Sequence, residues 1–153
     1  MKKIFYFSSA LFCLIVFISF ALIQYTVPKK HGEQEFLKLK YKINVYYDKF
    51  GIPHIESQND NDAYRALGFV MASDRIFQMD LLRRLINGSL SEVFGKDMVK
   101  VDTMLRKLRF KKSAQIAYER YKDLNRKALE QASAFLEGVH HFIETRPLPL
   151  EFH

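Results

Sequence analysis

Five polar side chains lie close together between residues 74 and 84 and are the first candidates for chemistry. They are Asp74, Arg75, Gln78, Arg83 and Arg84. Charges placed among apolar residues often have shifted pKa values, and such groups cluster in active sites. Asp80 precedes the last two arginines by three and four residues, which is the spacing of ion pairs along a helix. Ion pairing that fixes the segment is therefore the structural alternative to catalysis.

The histidines are the next candidates. His54 follows Pro53 and is expected to orient a neighbouring group or to lie in the core. His140 and His141 are adjacent, so they point to different faces of a helix and cannot bind one metal ion together. No His, Asp and Glu group has the spacing of a zinc site. The six glycines are scattered singly, which excludes a phosphate-binding loop. The sequence thus predicts no metal-ligating and no cofactor-binding residue.

Composition narrows the class of protein. The 153 residues are 48% hydrophobic, which suits one globular domain, and the formal net charge is +7. Basic residues are mostly interspersed with acidic ones and no nucleic-acid-binding motif accompanies them, so we expect no nucleic-acid partner. The single cysteine, Cys13, excludes an internal disulfide and a cysteine-based metal site.

The N-terminus has the pattern of a targeting segment. Lys2 and Lys3 precede a nearly continuous apolar run from Ile4 to Ile23, long enough to cross a bilayer as a helix. Residues 1–27 are therefore predicted to be a signal peptide or membrane anchor, and residues 28–36 a linker. Either an uncleaved anchor or a signal cleaved inefficiently after Ala21 is expected. Both alternatives place the protein outside the cytoplasm, in the periplasm or anchored in the membrane facing it.

The elements that position the polar side chains begin with a predicted hairpin. Residues 37–47 alternate between apolar and polar side chains, as in a half-buried strand. Residues 48–51 form a turn signal in which Gly51 can take positive φ. Residues 52–56 are predicted as a short return strand, with Pro53 at its start or on an edge because it cannot donate a ladder hydrogen bond.

Helices are predicted after the hairpin. Residues 59–62 offer several N-caps for a helix that Asn87 and Gly88 stop. Its buried face is predicted to comprise Ala72, Ile76, Met79, Leu82 and Ile86, widened by Phe77, Leu81 and Leu85. Residues 89–94 form a further turn ended by Gly95, and residues 97–108 are predicted to be helical.

The last helical region is predicted to begin at a Ser113 cap and to end before Pro147 and Pro149. An apolar stripe runs along it, with a break near residues 123–125. The stripe comprises Ala117, Tyr121, Leu124, Ala128, Ala132, Phe135, Val139 and Phe142.

An ordered set of short motifs between Asn44 and Gly95 resembles the penicillin acylase family. The set comprises Asp48, GIPHI at 51–55, Asp62-Ala63, ALGF at 66–69, ASDRIFQMDL at 72–81, Arg83-Arg84, Gly88, Leu90, Glu92 and Phe94-Gly95. A later segment, AFLEGVHHFI at 134–143, resembles a family helix, although His140 stands where the family usually has Asn. The closing residues 148–152 are also similar to the family.

The resemblance implies an N-terminal-nucleophile amidohydrolase. In that family a Ser, Thr or Cys freed by self-cleavage attacks a linear amide, with its own α-amine as the base. The motifs cover the first part of the smaller, α subunit, and the nucleophile is expected beyond residue 153. The resemblance therefore implies no catalytic residue in this chain, and structural roles for the cluster at residues 74–84. A structural calcium in the intact enzyme would have its ligands outside this chain.

Ser89 is the one candidate nucleophile within these residues, because family processing sites typically place Gly before the nucleophile. Gly88 and Ser89 nevertheless lie in the segment where the resemblance places a structural helix break. Cleavage before Ser89 would also leave only 65 residues, too few for the sheets that surround such a nucleophile. We expect Ser89 to be structural.

Together these patterns predict an α-rich α+β fragment of an N-terminal-nucleophile hydrolase fold. Its order is a signal or transmembrane helix, a β-hairpin and several helices, with residues 37–153 as the start of the α subunit. The expected partner is the remainder of the acylase, including the catalytic β subunit. The alternative is a small membrane-anchored helical protein that binds a partner without catalysis.

Overall fold

The computed structural model describes residues 2–26, 32–33 and 39–152 of the chain. Helix α1 (Lys2–Thr26) precedes strands β1 (Asn44–Tyr47) and β2 (Pro53–Glu56). Helices α2 (Asp60–Asn87), α3 (Ser91–Phe94), α4 (Val99–Leu108), α5 (Phe110–Tyr121) and α6 (Arg126–Thr145) follow. Short 3-10 helices cover Lys96–Met98 and Leu150–Phe152. The helix-rich fold with one hairpin confirms the predicted class, whereas the predicted linker lies outside the described residues except for 32–33.

The predicted membrane-spanning helix at Ile4 to Ile23 is not supported by the structure. A bilayer requires about 20 consecutive apolar residues in one helix. Within the described residues, no helix combines the length and the apolar character needed to cross a membrane.

The hairpin forms as predicted but its first strand is shorter. Strands β1 and β2 pair antiparallel, with Tyr47 opposite Pro53 at the turn. The Asp48 carboxylate accepts hydrogen bonds from the backbone N–H of Phe50 at 2.8 Å and of Ile52 at 2.9 Å, and Gly51 takes φ 78°. The predicted strand over 37–47 begins only at Asn44. Residues 40 and 41 donate their backbone N–H groups to a helix carboxylate instead of a ladder, and residues 37–38 lie outside the described part.

Helix α2 begins and ends at the predicted caps, but its buried face differs from the prediction. The Asn59 side chain accepts a hydrogen bond from the backbone N–H of Asp62, and Gly88 ends the helix in the left-handed conformation. Ala72 and Ile76 are buried as predicted, whereas Leu82 is 57% exposed and Ile86 is also exposed. The helix is kinked at Arg75, with φ −150° and ψ 34°. Near its end, Leu82 and Ile86 lie beyond the part of α2 that packs on α6.

The core lies where α2 crosses α6. Ala72, Ile76, Val139 and Phe142 form its centre. Phe69, Met79, Phe135, Leu148 and Phe152 pack around it. Gly68 and Gly138 allow the crossing, because a Cβ on Gly68 would collide with the carbonyl of Phe135 and one on Gly138 with the carbonyl of Arg65. The two glycines therefore bring the helix backbones closer than any side chain would permit.

The remaining helices are less covered. Ser113 does not cap a helix, because α5 already begins at Phe110, after Arg109 adopts a left-handed conformation at φ 56°. The predicted break near residues 123–125 is confirmed, and Asn125 caps α6 through its side chain. In the predicted stripe, Val139 and Phe142 are buried and Phe135 is half-buried, whereas its earlier members are exposed.

Candidate functional site

The polar residues between 74 and 84 divide into two groups in the structure. Asp80 accepts hydrogen bonds from Arg83 at 2.6 Å and from Arg84 at 2.7 Å, which confirms the predicted ion pairs. Arg84 also binds Glu92 of α3 at 2.7 Å, so its guanidinium links two helices. Burial raises the pKa of the Asp80 carboxyl, but the hydrogen bonds from the two arginines outweigh burial and lower this pKa. A carboxylate held ionised in this way is a poor proton donor or acceptor near neutral pH.

Asp74, Arg75 and Gln78 are not part of that cluster. Asp74 and Arg75 pair with each other at 3.3 Å, and both side chains are more than half exposed. Gln78 is exposed on the same helix. An exposed ion pair of this kind contributes little to stability. The structure thus assigns these three residues to the surface near the kink, not to an enclosed site.

Gly88 and Ser89 form a helix stop. Gly88 N–H donates to the carbonyl of Leu85 at 3.1 Å, and Ser89 N–H donates to that of Arg84 at 2.9 Å. This is the pair of hydrogen bonds of a Schellman motif. The Nε of Arg106 in α4 donates to the carbonyl of Gly88 at 2.7 Å. Ser89 is therefore held within a packed turn, which supports its structural interpretation.

Asp102 of α4 holds the segment after this turn. Its carboxylate accepts the backbone N–H groups of Leu90 and Ser91, both at 2.8 Å, and its side chain is buried. Burial raises the pKa of Asp102, but the hydrogen bonds from Ser91 and Leu90 and the nearby charge of Arg106 outweigh burial and lower it. No local pattern in the sequence predicts this role, because Leu90 and Ser91 lie 12 and 11 residues from Asp102.

His54 lies on β2, whereas the adjacent His140 and His141 lie on α6. His54 is exposed, stacks on Tyr46 with ring centroids 5.0 Å apart, and lies 3.5 Å from the Asp48 carboxylate. The prediction that it orients a neighbour agrees with this geometry, whereas a core position is wrong. His141 packs against Phe69, while His140 is exposed. Across the described residues, no cluster of three or more His, Cys, Asp or Glu side chains could hold a metal ion. His31 and His153 lie outside those residues.

A buried carboxylate that the sequence analysis treated only as a cap is the best-connected polar group. Asp62 is 1% exposed. Its oxygens accept hydrogen bonds from Lys40 N and Tyr41 N at 3.1 Å, Asn59 Nδ2 at 2.6 Å and Arg65 Nη1 at 2.7 Å. Arg65 in turn binds Glu137 of α6 at 2.7 Å. Asp62 thus joins the chain before β1 to α2 and, through Arg65, to α6. Local sequence patterns could not reveal this, because Lys40 and Tyr41 lie 22 and 21 residues from Asp62, and Glu137 lies 72 residues from Arg65.

The buried polar groups of the described residues are fully hydrogen-bonded. The buried carboxylates of Asp62 and Asp102 are occupied by backbone and side-chain donors. In the part of the chain that the structure describes, every buried side-chain nitrogen or oxygen has a hydrogen-bond partner. Such groups can fix elements relative to one another.

Comparison with known proteins gives the family. A sequence model of the penicillin amidase family matches residues 42–153. Since this match covers more than half of the chain, the protein belongs to the penicillin amidase family, which confirms the resemblance found from the motifs.

Individual relatives agree with this assignment. The chain is 36% identical over 131 residues to penicillin acylase 2 proenzyme of Pseudomonas sp. strain SE83, covering 85% of this chain and 16% of that protein. It is 41% identical over 96 residues to acyl-homoserine lactone acylase QuiP of Pseudomonas fluorescens strain Pf-5, covering 63% of this chain and 12% of that protein. The chain thus spans less than a fifth of the length of these relatives.

A solved structure shares the fold. The thermostable penicillin G acylase from Alcaligenes faecalis matches with a TM-score of 0.62 and 28% sequence identity. The match covers 72% of this chain and 60% of that chain.

Proposed function

We propose that this chain forms the opening part of the α subunit of an amidohydrolase that cleaves linear amide bonds. The observation that carries the proposal is the family match over residues 42–153. Relatives named as a penicillin acylase and as an acyl-homoserine lactone acylase support two substrate classes. These are β-lactam side-chain amides and N-acyl homoserine lactones.

The role proposed for these residues is structural. Asp62, Asp80 and Asp102 are held by hydrogen bonds that fix the chain before β1 and the helices against one another. The N-terminal nucleophile would come from the remainder of the enzyme, its catalytic β subunit. Residues 1–153 by themselves are then inactive, because Ser89 lies within a helix stop and not at a free N-terminus.

Fragment complementation tests this function. Residues 1–153 would be co-expressed with penicillin acylase 2 of Pseudomonas sp. strain SE83 that lacks its own matching segment, here called the complementary part. Hydrolysis of chromogenic phenylacetyl and long-chain acyl amides is expected only when both parts are present. A Gly68→Leu variant, which disrupts the α2–α6 crossing, is expected not to restore activity.

The isolated chain provides the opposing test. Purified residues 1–153 are expected to give no turnover with either amide. Turnover that a Ser89→Ala substitution abolishes would show that Ser89 is a nucleophile after all. Turnover that survives this substitution would require chemistry elsewhere in the chain and would contradict the scaffold role.

Export is a separate part of the proposal. Its support is the basic start, Lys2 and Lys3, followed by the apolar helix α1. Fractionation of a bacterium that expresses the chain is expected to place it outside the cytoplasm. A shorter periplasmic product would indicate cleavage, and a full-length membrane-bound product would indicate retention. Recovery as a full-length cytoplasmic protein would contradict export.

A further inference from the structure

The surface from the 3-10 helix at Lys96 to the end of α5 has an unusual charge. Residues 96–122, here called the α4–α5 arm, contain nine of the 24 lysines and arginines but only three of the 17 acidic residues. One of those three, Asp102, is buried and committed to backbone N–H groups. Most of the net charge of the protein is thus concentrated in this one segment, although basic and acidic residues are interspersed along most of the sequence.

The same arm exposes apolar side chains. Every residue from Arg106 to Tyr121 is exposed in the structure. The large exposed side chains of the arm include Val99, Met104, Leu108, Phe110, Ile116, Tyr118 and Tyr121. A monomer rarely leaves so many large apolar groups together in water. Because α5 has 12 residues, a length at which an isolated helix is marginal in water, it needs a surface to stabilise it.

Basic and apolar groups share faces of these helices. On α4, Lys100, Met104 and Lys107 recur at helical spacing and are exposed, whereas Leu105 is buried. On α5, Phe110, Ala117 and Tyr121 form an apolar stripe at the same spacing. Lys111 and Arg120 flank this stripe. Aromatic side chains beside lysines and arginines are typical of helices that lie in the headgroup region of a membrane.

We propose that the α4–α5 arm binds the surface of an anionic lipid membrane. The phosphate groups of the lipids would neutralise the lysines and arginines, and the aromatic side chains would enter the boundary between headgroups and acyl chains. This binding is peripheral, and it does not depend on the hydrolytic function or on α1.

Charge favours this occupant over the alternatives. A second copy of the chain would place two strongly basic surfaces against each other, which repel. The core of a protein interface is depleted of lysine, whereas six lysines lie in the arm. A nucleic acid would pair with the basic groups and its bases would stack on the aromatic side chains, but it would leave aliphatic side chains such as Val99, Leu108 and Ile116 uncovered. An anionic lipid surface covers the basic, the aromatic and the aliphatic groups together.

Vesicle co-sedimentation of the full chain tests the proposal. Phosphatidylcholine vesicles would be compared with vesicles containing about one-third phosphatidylglycerol, at low and high salt. We expect binding to the anionic vesicles to be at least about tenfold tighter at low salt, and this preference to shrink at high salt. Equal binding to both vesicles at low salt would overturn the proposal.

Charge-reversal variants locate the surface. Lys111→Glu with Lys112→Glu is expected to remove most of the anionic preference. The matched control is Lys42→Glu with Lys49→Glu, which makes the same charge change at exposed positions outside the arm and is expected to retain the preference. Helix α1 is identical in all variants, so its own affinity for lipid cancels. Equal losses in both variants would show that net charge alone acts, and would refute a defined surface.

A third variant and a second measurement separate lipid from protein. Tyr118→Ser with Tyr121→Ser is expected to weaken binding to anionic vesicles while salt sensitivity remains, and unchanged binding would refute insertion of the aromatic groups. Hydrogen exchange of residues 106–121 is expected to slow on anionic vesicles. If the complementary part slows the exchange of these residues and vesicles do not, the arm is a protein interface and the proposal is overturned.

Discussion

At the scale of single residues, buried carboxylates organise this chain. Asp62 fixes the backbone at residues 40 and 41, and Asp102 fixes it at residues 90 and 91. Each carboxylate accepts several hydrogen bonds from the protein in place of those from water. Some of the donors are backbone N–H groups that would otherwise lack an acceptor. Removing such a group leaves several partly buried donors without an acceptor, so the cost exceeds that of an exposed ion pair.

Asp62→Asn is the sharpest test at this scale. The asparagine amide has no charge to pair with Arg65. Its NH₂ group is a donor, so it cannot accept hydrogen bonds from backbone N–H groups as the second carboxylate oxygen does. We therefore expect a loss of about 3 kcal/mol of local stability. Native-state hydrogen exchange of the Lys40 and Tyr41 amides measures this loss. The control Asp60→Asn removes an exposed pair with Lys127 and is expected to have little effect. Equal exchange in both variants would refute the role of Asp62.

Acid should loosen the fold for the same reason. In Asp62, Asp80 and Asp102, burial raises the pKa, but hydrogen bonds and nearby arginine charges outweigh it and leave the pKa below its usual value. A carboxyl with a lowered folded pKa stabilises the fold above its unfolded pKa, near 3.9, and loses that contribution as pH falls through the folded value. Melting followed by circular dichroism is expected to be constant from about pH 7 to 5 and to fall below about pH 4. A melting temperature that is unchanged at pH 3 would contradict this.

At the scale of elements, the α2–α6 crossing decides which faces are buried. Gly68 and Gly138 place the two backbones in contact. The kink at Arg75 follows the first half of α2, and beyond it the exposed Leu82 and Ile86 lie outside the crossing. The predicted stripe assumed one straight helix covered along its full length, which is why its second half was assigned to the core incorrectly.

Alanine at either glycine tests this crossing. Gly68→Ala and Gly138→Ala would each push a methyl group into a carbonyl of the facing helix, at an expected cost of about 1–3 kcal/mol. Ser133→Ala on the exposed side of α6 is the control and is expected to be neutral or slightly stabilising, because alanine favours helix. Urea denaturation followed at 222 nm would compare the three variants. Stabilisation by Gly68→Ala would mean that the helices are farther apart than described.

At the scale of the whole molecule, many large apolar side chains are exposed to solvent. The exposed Leu82 and Ile86 of α2 add to the exposed side chains of α5. We expect the chain from Lys29 onward to be helical but loosely packed, to melt over a broad range and to bind a dye for apolar surface. Circular dichroism and dye fluorescence measure this, and adding the complementary part is expected to remove the share of the dye signal that comes from Leu82 and Ile86 of α2. A sharp melt without dye binding would identify an autonomous domain and favour the non-enzymatic alternative.

The sequence by itself determined the local elements and the family. The Asp48–Gly51 turn, the Asn59 cap and the Gly88 stop depend on residues within a few positions, and the structure has all three. The Asp80–Arg84 pair also follows from helical spacing. Motif order identified the family for a related reason, because many short matches in sequence are jointly specific even when each one is weak.

Only the tertiary structure decided which surfaces meet. The length of β1 depended on residues 40 and 41 binding Asp62 about 20 residues away, and the role of Asp102 depended on a turn at residues 90 and 91. The close approach at Gly68 joined segments about 70 residues apart. Periodicity reports that a helix has an apolar face, but it does not report what lies against that face. Burial and non-local hydrogen bonds are properties of the packed chain, so they appear only once the elements are placed together.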